Sequence, residues 1–212
     1  ISIFVYMKID QLMVGKMLDM KQVGVYSIGV KLSELIYFIP MAISTAYLPK
    51  ILHAKKEKTI KEYENEVINL GKINVLICFI FSLGATLFGE KFVELVYGIE
   101  YLKSGQVFVI YSWASIFVAI GVSHGNYLVC ENENKLSFYA TLLGAVFNFL
   151  LNLIFIKKFG IIGSSIATVL SQIIASIGFY LFLKDKKHFI FRLKSLFLFW
   201  KKNRVYNKGD QL

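Results

Sequence analysis

Four charged residues stand inside stretches that are otherwise apolar: Lys8 and Asp10 in the first stretch, Lys31 and Glu34 in the second. If those stretches cross a bilayer, each charge is unfavourable by ~2.5–3.5 kcal/mol on insertion scales, so it needs a partner or a task. Their spacing offers partners. In an antiparallel hairpin turning near Met20 and Lys21, residues at equal depth have numbers that sum to about 41 or 42. Asp10 then lies level with Lys31, and Lys8 with Glu34. Lys31 and Glu34 are three apart and share a helix face. Lys8 and Asp10 are two apart and point in roughly opposite directions, so the two pairs compete. Two roles fit: ion bridges that hold the hairpin together, or the charged wall of a water-filled cavity.

Weaker polar stripes follow on later apolar stretches. One carries Ser112, Ser115, Ser123 and Asn126; the next Thr141, Gly144, Asn148 and Asn152; the last Ser164, Thr168, Ser171 and Gln172. Small and amide residues are also the ordinary glue between helices in lipid. Pro40 removes a backbone donor and predicts a kink, either a fixed bend or a hinge. His124 stands alone among small residues. Cys78 and Cys130 both fall in apolar stretches and form neither a disulfide framework nor a metal pattern. No Gly-rich phosphate loop, metal spacing, nucleophile elbow or paired-carboxylate site is present, so no enzyme and no cofactor is expected.

The elements that hold these residues are helices of membrane-crossing length. Apolar residues make up 56% of the chain, charged residues 18%, and the mean hydropathy is +0.59. Six apolar segments are predicted: Ile1 to about Leu18, Val23–Leu48, Val67–Phe88, Gln106–Val129, Leu136–Ile156 and Ile161–Leu183. The net charge of +10 does not imply nucleic acid, because the basic residues gather at span ends. Fifteen of them fall on one side: five between Lys50 and Lys61, Lys135, and nine between Lys184 and Lys208. Six fall on the other, at Lys16, Lys21, Lys91, Lys103, Lys157 and Lys158. The richer side, with the C-terminus, is therefore expected in the cytoplasm. Residues 1–183 are expected to form a transmembrane lobe and 184–212 a cytoplasmic tail. Within that tail His188–Lys202 reads as an amphipathic helix on the inner leaflet, with a disordered end after Tyr206. The mixed-charge run Lys55–Glu66 is expected to extend a helix beyond the membrane. The chain begins Ile-Ser-Ile and reads as a fragment of a longer protein.

Several segments resemble a known family. Met7–Gly15 (MKIDQLMVG), Val23–Ser27 (VGVYS) and Leu32–Ala42 (LSELIYFIPMA) look like the opening of the second half of bacterial O-antigen flippases. Leu95–Gly105 (LVYGIEYLKSG) and Asn148–Ser171 (NFLLNLIFIKKFGIIGSSIATVLS) resemble two further segments of polysaccharide transporters. These belong to the multidrug/oligosaccharidyl-lipid/polysaccharide exporter superfamily. The chain departs from the pattern at Lys157–Lys158, where relatives often have proline nearby, and at Ser164–Ser165, where Ala pairs are common. The resemblance implies an all-α fold with six helices forming the C-terminal lobe of a two-lobe exporter in the bacterial inner membrane. It implies movement of an undecaprenyl-pyrophosphate-linked oligosaccharide by alternating access, coupled to an ion gradient. The implied partners are that lipid-linked oligosaccharide, membrane lipids and the missing N-terminal lobe. On this reading Lys8 and Lys31 receive the pyrophosphate. Asn148, Asn152, Thr168 and Gln172 meet the glycan, and Asp10 or Glu34 binds the coupling ion. A flippase for lipid II or a capsular or teichuronic precursor remains an alternative, as does a membrane enzyme of polysaccharide assembly.

Overall fold

Asp19 sets the first turn. Helix α1 (Ile9–Met17) stops at Leu18, and the Asp19 carboxylate caps α2 (Met20–Glu34) by accepting from the Gln22 amide at 2.7 Å. The computed structural model describes residues 8–197. A tight 3₁₀ turn, Leu35–Tyr37, links α2 to α3 (Phe38–Glu57). It lies just ahead of Pro40, whose ring crowds the carbonyl four residues back and whose nitrogen offers no donor. The kink expected at Pro40 is thus a tightened turn, and the helix continues to Glu57 rather than ending near Leu48.

Thr59 starts α4 (Ile60–Tyr97) with a reciprocal capping box to Glu62, which places the break of the mixed-charge run at Lys58–Thr59. Gly98, at φ +93°, ends α4. A 3₁₀ turn (Ile99–Tyr101), α5 (Leu102–Ser112) and α6 (Ala114–Cys130) follow. Asn132, at φ +59°, closes the next turn in a conformation asparagine tolerates. Then come α7 (Asn134–Ile173), a π turn (Ile174–Gly178), α8 (Phe179–Leu181) and α9 (Lys187–Leu196).

Among the described residues, four helical stretches are long and apolar enough to span a membrane: Met20–Glu57, Ile60–Tyr97, Ile99–Cys130 and Asn134–Leu181. The longest is not straight. Gly160 has φ +61° and ψ −140°, and Asn148 hydrogen-bonds Thr168 at 3.2 Å and Ser171 at 3.1 Å. Twenty residues along a straight helix would be about 30 Å apart. Residues 134–159 and 161–181 therefore form two antiparallel limbs.

The distribution of side chains is that of a protein in lipid. Leu35, Phe38, Leu87, Phe88, Leu95 and Phe182 face outward, while Ser33, Asn74, Ser82, Ser112, Ser115 and Asn152 are completely buried. Asn74 shows why. Its amide reaches Ser44 on α3 at 3.0 Å and Ser123 on α6 at 2.8 Å, joining three helices. Without a hydrophobic drive between helices, such bonds and close small-residue contacts hold a membrane bundle together.

The connections at Lys58–Thr59, at Glu131–Glu133 and before α9 share one end. Lys55 pairs with Glu131 at 3.2 Å, Lys187 with Glu64 at 3.1 Å, and His188 with Glu133 at 3.1 Å. Helix α9 is built differently from the expected leaflet helix. Its polar residues His188, Arg192 and Ser195 are buried against the bundle, while Ile190 and Phe197 face out. Phe191 is buried with them and Lys187 and Lys194 are half-buried, so the face packed on the bundle mixes polar and aromatic groups. Residues 1–7, which begin the predicted first span, and the end expected after Tyr206 lie outside the described residues.

Two glycines test this architecture. Gly160→Val forces a β-branched residue into a backbone region nearly exclusive to glycine, at a cost of about 1–3 kcal/mol. It should lower the thermal midpoint of the detergent-solubilised protein, whereas Gly84→Ala, in open space on α4, should not. A side chain at Gly71 would collide with Ser195 of α9. Gly71→Val is expected to release α9 and speed limited proteolysis between Leu181 and Phe197; unchanged cleavage would mean that α9 does not rest on α4.

Candidate functional site: a cavity with two polar ends

The second limb of the α7 hairpin presents Thr168, Ser171, Gln172 and Ser176 along one side. The first limb presents Asn148, Gly144 and Thr141 opposite. Together with Asp10, Glu34, Tyr37, Tyr180 and Arg192, these line a cavity of about 600 Å³. Gly144 is what lets the limbs close: a Cβ there would sit 2.7 Å from that of Ala175.

At one end Asp10 is almost fully buried. It accepts from the Tyr26 hydroxyl at 2.7 Å and from the Gln11 amide at 2.8 Å. Ser164 donates to the same Tyr26 oxygen at 3.2 Å, and Thr168 donates to the Ser164 carbonyl at 3.2 Å. Asn148 joins through Thr168, and Asn152 fixes Asn148 by donating to its side-chain oxygen at 3.0 Å. A continuous polar chain thus runs from α1 through α2 to both limbs of α7. The Asn152 side-chain oxygen is buried without a partner. Glu34 enters the cavity beside this network and pairs with Lys8 at 3.2 Å.

At the other end stand Ser176, Tyr180 and Arg192. The Arg192 guanidinium lies 3.6 Å from the centre of the Tyr180 ring and donates to the Ser176 carbonyl at 2.7 Å. Behind it His124 contacts His188 at 3.3 Å. Burial holds the His188 imidazole below the usual histidine range, against the opposing pull of Glu133. His124, which the sequence presents as solitary, is part of this cluster.

The structure gathers Asp10, Glu34, Asn148, Thr168 and Gln172 around one cavity, with Asn152 directly behind it. It forms the Lys8–Glu34 pair but not the Asp10–Lys31 pair. Lys31 is exposed on the opposite face of α2 and lines no part of the cavity. The reason is the face that Lys31 occupies. Asp10 faces Tyr26. Lys31, five residues further along α2, points about 140° away from Tyr26. Lys8 touches the cavity only through Glu34.

Tyr26 and Arg192 carry the site and escaped the sequence reading. Asp19, an N-cap residue just before a helix, was the available signal for the start of α2. The spacing of His188, Arg192 and Ser195 by four and three was the signal for an inward polar stripe on an otherwise aromatic helix. Lys72, inside α4, is a fifth charge within a span. Among the described residues no group of three or more His, Cys, Asp or Glu is placed to hold a metal ion.

The chain is an all-α, multi-pass membrane protein whose cavity has a largely apolar lining with a few polar groups set into it. Residues 17–205 match the sequence family described as lipid II flippase MurJ, and the chain belongs to that family. It is therefore of a transporter lineage, not an enzyme lineage. The chain is 24% identical over 168 residues to the probable low-salt glycan biosynthesis flippase of Haloferax volcanii, covering 79% of this chain and 36% of that protein. It is 29% identical over 168 residues to an uncharacterized membrane protein of Methanocaldococcus jannaschii, covering 79% and 39%. It is 22% identical over 167 residues to a capsular polysaccharide biosynthesis protein of Staphylococcus aureus, covering 76% and 42%. The chain thus spans about two-fifths of the length of these relatives. No solved structure matches it. These matches carry the resemblance to a flippase of the exporter type but not the O-antigen branch in particular.

Tyr26→Phe removes the one hydroxyl that joins Asp10 to the α7 hairpin. Leaving the carboxylate short of a donor should cost about 1–3 kcal/mol of stability. Ser164→Ala, which leaves the Tyr26–Asp10 bond in place, should cost less. Equal losses in the two variants, measured by unfolding in detergent, would mean that Asp10 does not depend on Tyr26.

Proposed function

We propose that the protein moves a lipid-linked glycan across the membrane, with this chain forming one of two lobes around the transport path. The observation that carries the reading is the cavity. Its polar groups are amides, hydroxyls and carboxylates set inside helices whose outer faces are apolar. Asn148, Thr168 and Gln172 can exchange hydrogen bonds with sugar hydroxyls, and Asn152 holds Asn148 in place. Asp10 and Glu34 supply negative charge for a coupling cation or proton, with Lys8 balancing Glu34.

Lipid II or another surface-glycan precursor is favoured over an O-antigen unit. The matching family is described as a lipid II flippase, and two relatives are named for glycan and capsular polysaccharide biosynthesis. Six crossings remain our reading, counting the limbs of α7 separately and α1 as the first. The basic end that carries α9 is placed in the cytoplasm on the charge bias of the connections.

The test is flipping of fluorescent lipid-linked glycans by the intact protein in vesicles, scored by their accessibility to an external reagent. Asn148→Leu combined with Gln172→Leu should slow flipping about tenfold or more while leaving the protein folded, since each lost cargo hydrogen bond is worth about a kcal/mol. Asp10→Asn should remove the dependence on the ion gradient more than it weakens cargo binding. Flipping of ordinary phospholipids at the same rate as lipid-linked glycans would defeat the proposal.

A further inference from the structure

Two imidazoles meet where α9 rests on the bundle. The His124 ring on α6 and the His188 ring on α9 are both buried, with Nε2 of the first 3.3 Å from Nδ1 of the second. The other His188 nitrogen, Nε2, lies 3.1 Å from the Glu133 carboxylate. Neither histidine lines the cavity. Counting hydrogens constrains the pair. A carboxylate only accepts, so His188 Nε2 carries a hydrogen toward Glu133. In the neutral pair the His188 Nδ1 is then bare and accepts from His124 Nε2–H. One added proton can be shared along the line between the rings, with Glu133 as its counter-charge. A second puts two N–H groups against each other, and the contact must break.

The surroundings make even one added proton unfavourable. Arg192, one turn along α9, is buried and permanently charged. Lys187 lies over the Tyr127 ring, and its own partner is Glu64 on α4 at 3.1 Å. Glu131, beside the same loop, is held by Lys55 and by the Tyr63 hydroxyl. Asp185, ahead of α9, accepts from the Lys187 amide. The rings of Tyr127, Tyr180 and Phe191 pack against His124. Among the described residues, Glu133 is the one carboxylate within ion-pair distance of either imidazole.

We propose that His124 and His188 form a proton-binding latch for α9, closed while the pair is neutral and released when it takes up protons. Arg192 lines one end of the cavity and travels with α9, so release opens that end. Residues 182–186, just before α9, are not helical and give it a joint to move on. The sign follows from burial, which holds the His188 imidazole below the usual histidine range. Released into water, the ring takes a proton near pH ~6.5; docked, it does so only at lower pH. The docked state therefore binds fewer protons. Its stability is complete above about pH 6.5 and falls as the pH drops through the interval below. There the ratio of released to docked protein rises up to about tenfold per pH unit for each proton excluded.

The experiment measures the separation of two spin labels in the intact detergent-solubilised protein between about pH 8 and pH 5, a range that brackets the histidine value. The labels are attached through Ile73→Cys, exposed on α4, and Ile190→Cys, exposed on α9, with Cys78→Ala and Cys130→Ala removing the native thiols. A short distance at the alkaline end should give way to a longer one below about pH 6.5. His188→Gln keeps a donor for Glu133 but does not titrate, so its distance should stay short throughout. If that variant is already released at the alkaline end, Glu133→Gln decides. With the counter-charge gone, the docked pair resists protonation more strongly, and release should move to higher pH. A distance that does not change with pH in the otherwise unaltered protein overturns the latch. So does a full acid response in docked His188→Gln, or an unmoved midpoint in Glu133→Gln. The readout is the position of α9, so the latch is tested independently of what the cavity carries.

Discussion

A polar group inside a bilayer has no water to turn to, so it must be satisfied by the protein or by what the protein carries. This constraint orders the whole structure. It turns Leu and Phe outward and Ser and Asn inward. It fixes Asn74 between α3 and α6, and it ties Asp10 to Tyr26 and Ser164. Because nearly every inward group is paired, the exceptions become informative. Among the described residues Asn74, Asn152, Ser176 and Arg192 each bury a polar atom without a partner; the last three belong to the walls or backing of one cavity, and Asn74 sits between α3, α4 and α6.

The cavity is divided in charge. Its acidic end is assembled from α1, α2 and the α7 hairpin, through a single chain of hydrogen bonds. Its basic end is assembled from the far end of that hairpin and α9. The two are rigidly spaced because they share the limb 161–181, which the turn at Gly160 folds against its partner. The carboxylates therefore favour positive charge at one end, and the guanidinium favours negative charge at the other.

Much of the fold was legible from the sequence. Spans of apolar residues placed the long helices, and the charge asymmetry grouped the connections that the structure brings together at one end. The polar stripe on residues 141–152 was correctly assigned to one face, because helical spacing alone fixes which residues share a face. Pairings between helices were harder, because they depend on which face each residue takes. Lys8–Glu34 forms as the spacing implies, but Lys31 turns to the outer face of α2 and Tyr26 takes its place at Asp10. The role of α9 was the least legible. A helix of Phe, Leu, Lys and Arg has the composition of a membrane-surface helix, and nothing in composition says which face turns inward.

That ambiguity bears on how Arg192 should be understood. As one of many basic residues in a tail, it counts toward orientation, and lysine would serve equally well. Orientation, however, asks only for charge near the interface. It does not ask for a guanidinium stacked on a tyrosine, buried, and without an acid among the described residues. Lysine in that place would lack the planar fork and would more readily lose its proton on burial. The rest of the sequence favours lysine heavily, with only Arg192 and Arg204 as arginines among 24 basic residues. One of those two arginines occupies the buried position beside Tyr180 and Ser176. The planar, permanently charged fork is what allows stacking on Tyr180 together with a hydrogen bond to the Ser176 carbonyl.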